Sequence, residues 1–106
     1  TLREMERLQK AGIPAAEVLK AATVNAAETL LVANKVAKVE AGYAAELLIL
    51  TENPLNDVNH LHHLEGLINR TQYYSADAIA TMRKLAKQHM STFELYYWWV
   101  IDNYFI

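Results

Sequence analysis

The sequence predicts an α+β fold, and three observations carry that prediction. Apolar residues recur at three-to-four spacing near the start of the chain (Leu2, Met5, Leu8) and again from Ile79 to Ala86. Between these stretches the period changes to two, from Val36 onward, and leads into the apolar run Glu46–Leu50, which has the length of a strand. Turn residues separate the periodic stretches: Gly12 with Pro14, Ala41 with Gly42, and Asn53 with Pro54.

Taken in order, the first element is an amphipathic helix from Leu2 to Ala11, ended by Gly12. Pro14 suits the first turn of a second helix, where its missing N–H costs nothing. That helix places Val18, Leu19 and Ala22 on one side, and its many alanines allow close approach to a neighbour. Thr23 and Asn25 are residue types that cap helices, so a short break or a fresh N-cap is expected there, with one or two more turns over Ala26–Leu31. Val36 and Val39 flank Lys38, Ala41-Gly42 turns the chain, and Glu46–Leu50 reads as a buried strand. Pro54 sets a loop over Thr51–Asn56, and Val58–Leu64 reads as a short helical turn. Leu67–Arg70 followed by Gln72–Tyr74 forms a short hairpin. Ser75 caps a helix over Ala76–His89 whose apolar face holds Ile79, Met82, Leu85 and Ala86.

The last stretch differs in composition. Ser91-Thr92-Phe93-Glu94 fits a capping box, with Met90 and Leu95 placed for a hydrophobic staple. Seven of the ten aromatic residues lie here: Phe93, Tyr96, Tyr97, Trp98, Trp99, Tyr104 and Phe105. Leu95–Ile101 is too short to span a bilayer, which needs about 20 apolar residues. The tail has no Lys/Arg face, and Glu94 and Asp102 weigh against anionic lipid. Packing on the chain's own surface is the simplest reading, and a partner or subunit contact is the alternative.

A chain of 106 residues has room for one small core, whereas a complete (β/α)8 barrel needs about 250. The net charge of −2 gives no basic footprint for nucleic acid. Without cysteine there are no disulfides or thiolate metal sites. The chain begins at Thr1 and shows no signal-peptide pattern, and a fragment, a processed piece or a truncated reading frame is the expected origin.

From Leu2 to about Leu85 the order of motifs resembles the C-terminal region of metal-dependent amidohydrolases, in the group that includes imidazolonepropionases and dipeptidases. The residues that carry the resemblance begin with Leu2, Glu4, Met5 and Leu8, then Ala11, Gly12 and Pro14, then Leu19, Ala22, Thr23, Asn25, Ala26 and Ala27. They continue as Ala37–Leu47, similar to a Gly-x-Ile-x-x-Gly-Lys-x-Ala-Asp-Leu turn, and end with Asn53, Pro54, Leu55 and Asp57. Four positions depart from the family pattern: Ala37 and Thr71 stand where glycine is usual, Tyr43 where lysine is, and Glu46 where aspartate is.

The resemblance implies the last helices of a (β/α)8 barrel over residues 1–33 and strands of a small β-domain over 34–75. A C-terminal helix over 76–90 and an aromatic, helical tail over 91–106 complete the chain. It implies a parent enzyme that hydrolyses C–N bonds in non-peptide or dipeptide substrates with one or two divalent metals, zinc being the expected one, which lower the pKa of a bound water. The family's metal ligands all precede the segment matched here. No catalytic or cofactor-binding residue therefore carries over, no cofactor is expected in this chain, and the isolated chain is expected to be inactive. The expected partner is the rest of the barrel or a second subunit. The alternative is a non-catalytic interaction or oligomerisation module that uses the aromatic tail.

Within the chain itself, the candidate metal ligands are His60, His62 and His63, with Asp57 and Glu65 as carboxylates that could complete a zinc site. Exposed polar histidines are the simpler account. The pairs Asp57/Glu65 and Glu40/Glu46 could be proposed for acid–base chemistry, but nothing in the sequence makes either pair converge in an apolar pocket. Ser75 and Ser91 read as helix caps, with no nucleophile elbow around them. Gly12, Gly42 and Gly66 are isolated and form no phosphate-cradling loop.

Overall fold

The computed structural model describes residues 1–89 together with Glu94, Tyr96, Trp99 and Val100. Helix α1 spans Leu2–Lys10 and ends in a Schellman motif. Gly12 N–H donates to the Gln9 carbonyl and Ile13 N–H to the Leu8 carbonyl, with Gly12 at φ 104°. Helix α2 (Ala15–Lys20) starts after Pro14 and continues through a π-helical turn (Ala21–Asn25) into α3 (Ala26–Thr29). The break or fresh cap expected at Thr23 and Asn25 is therefore not there. The Thr23 hydroxyl instead donates back to the Leu19 carbonyl at 2.7 Å, and Thr29 does the same to Asn25 at 2.9 Å. Hydroxyls that bond the preceding turn in this way let a threonine stay inside a helix.

The period-two stretch from Val36 forms turns and bends, and the first strand begins at Glu46. Strands β1 (Glu46–Leu50), β2 (Leu64–Asn69) and β3 (Gln72–Ser75) make an antiparallel sheet in the order β1-β2-β3. Leu48 faces Leu67 across β1 and β2, Leu67 faces Tyr74 across β2 and β3, and the register shifts between Ile49 and Leu50. Strand β1 was expected to be buried. It lies instead at the edge of the sheet, with Leu48 54% exposed. Between β1 and β2, Val58–His62 forms a 3₁₀ turn, as the short helical reading anticipates. The hairpin from β2 to β3 turns through Arg70 and Thr71, with Arg70 at φ 59°.

Helix α4 (Ala76–Gln88) starts on Ser75, whose hydroxyl accepts the Ala78 N–H at 3.2 Å. Ile79 and Met82 line a shallow hollow with Leu67, Asn69 and Tyr74, so α4 covers one face of β2 and β3. No residue of α4 is fully buried, and Met82 and Leu85 remain about half exposed. The core lies elsewhere, where Met5 of α1 and Ala15 and Val18 of α2 meet Val58 of the 3₁₀ turn. Leu2, Leu8, Leu19 and Leu61 pack around these four.

Of the expectations for the tail, the capping box at Ser91–Glu94, the Met90–Leu95 staple and the positions Phe93, Tyr97, Trp98, Tyr104 and Phe105 lie outside the described residues, apart from Glu94. Tyr96 and Trp99 are both exposed, with their rings stacked 6.2 Å apart. Among the described residues no helix is long and apolar enough to cross a membrane.

Candidate functional site

The 3₁₀ turn carries the chemistry that the sequence singles out. Three residues per turn bring positions 60 and 63 into line, and the His60 and His63 rings stack with centroids 5.9 Å apart. His60 Nδ1 lies 2.8 Å from the Asn53 carbonyl oxygen, and His60 Nε2 lies 3.6 Å from Glu52 Oε2. His63 Nδ1 bonds the same Glu52 oxygen. His62 points the other way and places Nε2 2.5 Å from Glu6 Oε1 on α1. The three histidines therefore divide between two glutamates, His60 and His63 with Glu52 and His62 with Glu6, and form no metal-type cluster with Asp57 and Glu65.

Hydrogen-bond chemistry shows which nitrogen of each ring donates. Carbonyl and carboxylate oxygens of this kind only accept, so the contacting nitrogens His60 Nδ1, His62 Nε2 and His63 Nδ1 are donors. In a neutral ring the other nitrogen keeps its lone pair, so these bonds orient the rings, and a metal site depends on whether further ligands converge on them. Among the described residues no three His, Cys, Asp or Glu side chains group to hold a metal ion. The described residues do not by themselves form a zinc site.

Asp57 has a structural task. Its carboxylate accepts from the Asn59 N–H at 2.9 Å and from the Asn59 side-chain amide at 2.8 Å, capping the 3₁₀ turn. It also accepts from the Gln9 side chain at 3.3 Å, while Gln9 Oε1 accepts the Val58 N–H at 2.8 Å. One glutamine thus locks α1 to the turn that carries the core residue Val58. The Asn59 backbone N–H, helped by the Asn59 side chain, holds the Asp57 carboxyl below its usual range. A general acid needs the opposite shift.

The remaining candidates are spread over the surface. Glu46 faces Arg70 at 3.7 Å, Glu40 accepts the Tyr43 N–H through its carbonyl in the turn before β1, and Glu65 is exposed on β2. Ser75 is a helix cap, as expected, and Ser91 lies outside the described residues. Sequence reasoning missed Glu6, Glu52 and Gln9, because a surface glutamate or glutamine gives no signal of its own. The one available hint was the i to i+3 spacing of His60 and His63 on a helical turn.

No protein-family model and no curated protein sequence matches the chain. Solved structures do. A Xaa-Pro dipeptidase with methionine bound in its active site superposes with a TM-score of 0.65 and 25% identity, over 71% of this chain and 18% of the dipeptidase. An amidohydrolase superposes with a TM-score of 0.63 and 26% identity, over 70% of this chain and 19% of its own. The chain thus spans less than a fifth of either neighbour, and these likenesses support, at the level of fold, its resemblance to a segment of an amidohydrolase-superfamily protein.

Proposed function

We propose that this chain is the structural C-terminal part of a metal-dependent hydrolase that cleaves C–N bonds in non-peptide or dipeptide substrates. The observation that carries the reading is the likeness to both a dipeptidase and an amidohydrolase over some 70% of this chain. In that role α1 and the α2–α3 helix are the last helices of a barrel, and the three strands belong to the small β-domain beside it. The ends of these helices leave apolar residues turned to solvent, Ile13 after α1 and Leu30 and Leu31 after α3, which suits surfaces that meet further protein. The catalytic metal, zinc in this reading, is held by residues outside the 106-residue chain, a reading supported by the lack of any group of three His, Cys, Asp or Glu side chains that could hold a metal among the described residues.

Metal analysis joined to a hydrolase assay tests this proposal. The purified chain should contain no stoichiometric divalent metal and should not turn over N-acyl amino acids, dipeptides or cyclic amides. Tight metal together with turnover that disappears in His60→Ala and His62→Ala would overturn it. A second reading, a non-catalytic association module, is favoured by the outer edge of β1, which pairs with no strand among the described residues.

A further inference from the structure

The outer edge of β1, unpaired among the described residues, is self-complementary. In an antiparallel pair, alternate residues turn their N–H and C=O groups toward the neighbour strand. Arg70 N–H donates to the Ala45 carbonyl and Thr51 N–H to the His63 carbonyl. With the register of β1 against β2, these bonds turn Leu47 and Ile49 toward β2. Glu46, Leu48 and Leu50 therefore direct their backbone groups outward, where no strand lies among the described residues.

We infer that two copies of this chain associate through β1, antiparallel, about a two-fold axis at Leu48. In that register the Leu48 N–H groups and carbonyls of the two copies satisfy each other. Each Leu50 N–H meets the Glu46 carbonyl of the other copy. The Glu46 N–H needs no partner, because it already donates to the Ala44 carbonyl at 2.9 Å. The side chains match as well. Leu48 meets its own copy, Leu47 meets Ile49, and Glu46 lies opposite Leu50, so like charges never face each other. The strand carries neither Lys nor Pro, the residues that usually protect an edge from pairing. The two-fold closes after two copies, giving one six-stranded sheet.

The exposed area leaves room for this contact. The chain exposes 8092 Å² for a mass of 12.0 kDa, whereas a compact monomer of that mass exposes roughly 6,000 Å². A standard interface needs only about 800 Å² per partner. The other edge of the sheet, β3, is a poorer candidate, being four residues long and running straight into α4.

This inference goes beyond the hydrolase reading and fails separately from it, since mass and amide exchange report nothing on catalysis. Light scattering on the 106-residue chain is expected to give twice 12.0 kDa at high concentration and to fall toward 12.0 kDa on dilution. Hydrogen exchange at the Leu48 and Leu50 amides should slow about ten-fold as the dimer forms, with little change in the β2-facing amides of Leu47 and Ile49. Leu48→Lys should be monomeric with an unchanged circular-dichroism spectrum.

A monomer whose Leu48 and Leu50 amides exchange freely at every concentration overturns the proposal. So does a dimer that survives Leu48→Lys, which would locate the contact elsewhere. Assemblies that grow past two copies would point to open-ended pairing of β1 with β3 and overturn it equally. Should Leu48→Lys fail to fold, the exchange measurement on the unaltered chain still decides.

Discussion

Two helix ends in this chain use the same hydrogen bonds with different residues, and the difference has a measurable cost. After α1, the left-handed position of the Schellman motif is Gly12. After α3, Leu31 N–H donates to Glu28 and Val32 N–H to Ala27, and the left-handed position is Leu31 at φ 60°. A side chain there crowds the backbone by about 1–2 kcal/mol, and Leu31 is 89% exposed, so burial returns nothing. Leu31→Gly is expected to raise the urea midpoint by an amount equivalent to about 1 kcal/mol, and Gly12→Ala to lower it similarly. Ala37, at φ 73°, is the position where the resemblance to amidohydrolases places glycine, so the departure visible in the sequence coincides with left-handed backbone. Leu31 was not legible, because a leucine at the end of an apolar helix reads as core. Asp57 adds a pH dependence with a defined sign. Hydrogen bonds from Asn59 lower its pKa in the folded chain, so the carboxylate stabilises the fold above its unfolded pKa, and that contribution is lost as pH falls through the lower folded value. In Asp57→Ala the acid limb of a plot of melting temperature against pH should flatten. An acid limb identical to that of the unaltered chain would show that the cap contributes nothing.

At the scale of elements, the sequence was most informative where one physical signal acts alone. Helices α1 and α4 and strand β1 each follow a single period between clear stops, and all three lie within a residue or so of their predicted bounds. Ser75 is the clearest case, since a serine just before an apolar helical pattern caps α4 as expected. Ser75→Ala should therefore cost about 1 kcal/mol and fray the first turn of α4, detectable as faster amide exchange at Ala78. Reading failed where two signals compete. Thr23 and Asn25 look like caps, yet Thr23 turns its hydroxyl back on Leu19 and the helix continues through a π-helical turn. The valines at 36 and 39 look like a strand, yet the left-handed backbone at Ala37 interrupts any extended run. The partners within the histidine cluster were illegible for a third reason. Its spacing is visible, but the partners Glu6 and Glu52 are set by how α1 and the Thr51–Asn56 loop dock on the turn, and spacing along the chain does not encode that.

For the molecule as a whole, the governing fact is how little of it is buried. The radius of gyration is 15.5 Å, against about 13 Å for a compact domain of 100 residues. Val18 and Val58 are the largest fully buried side chains among the described residues, and both belong to the cluster that joins α1, α2 and the 3₁₀ turn. The sheet and α4 contribute no residue to that cluster, so the fold hangs on a joint that Gln9 secures from outside and Val58 fills from within. Removing methyl groups from Val58 should therefore act on the whole chain. Val58→Ala forfeits most of the roughly 2 kcal/mol that burying the side chain supplies, and the cavity left behind adds to the loss. Gln9→Ala leaves the Val58 N–H without its partner at a cost of about 1–3 kcal/mol. A small core cannot spread either loss over many neighbours. Both variants are thus expected to keep most of their helical circular dichroism at low temperature but to melt over a broad, weakly cooperative transition with increased binding of a hydrophobic dye. In the same melt Leu85→Ala, on the half-exposed face of α4, should leave the transition nearly unchanged. If the three variants shifted the melt equally, stability would be distributed through the sheet and α4, and the α1–3₁₀ joint would not be where this chain is held together.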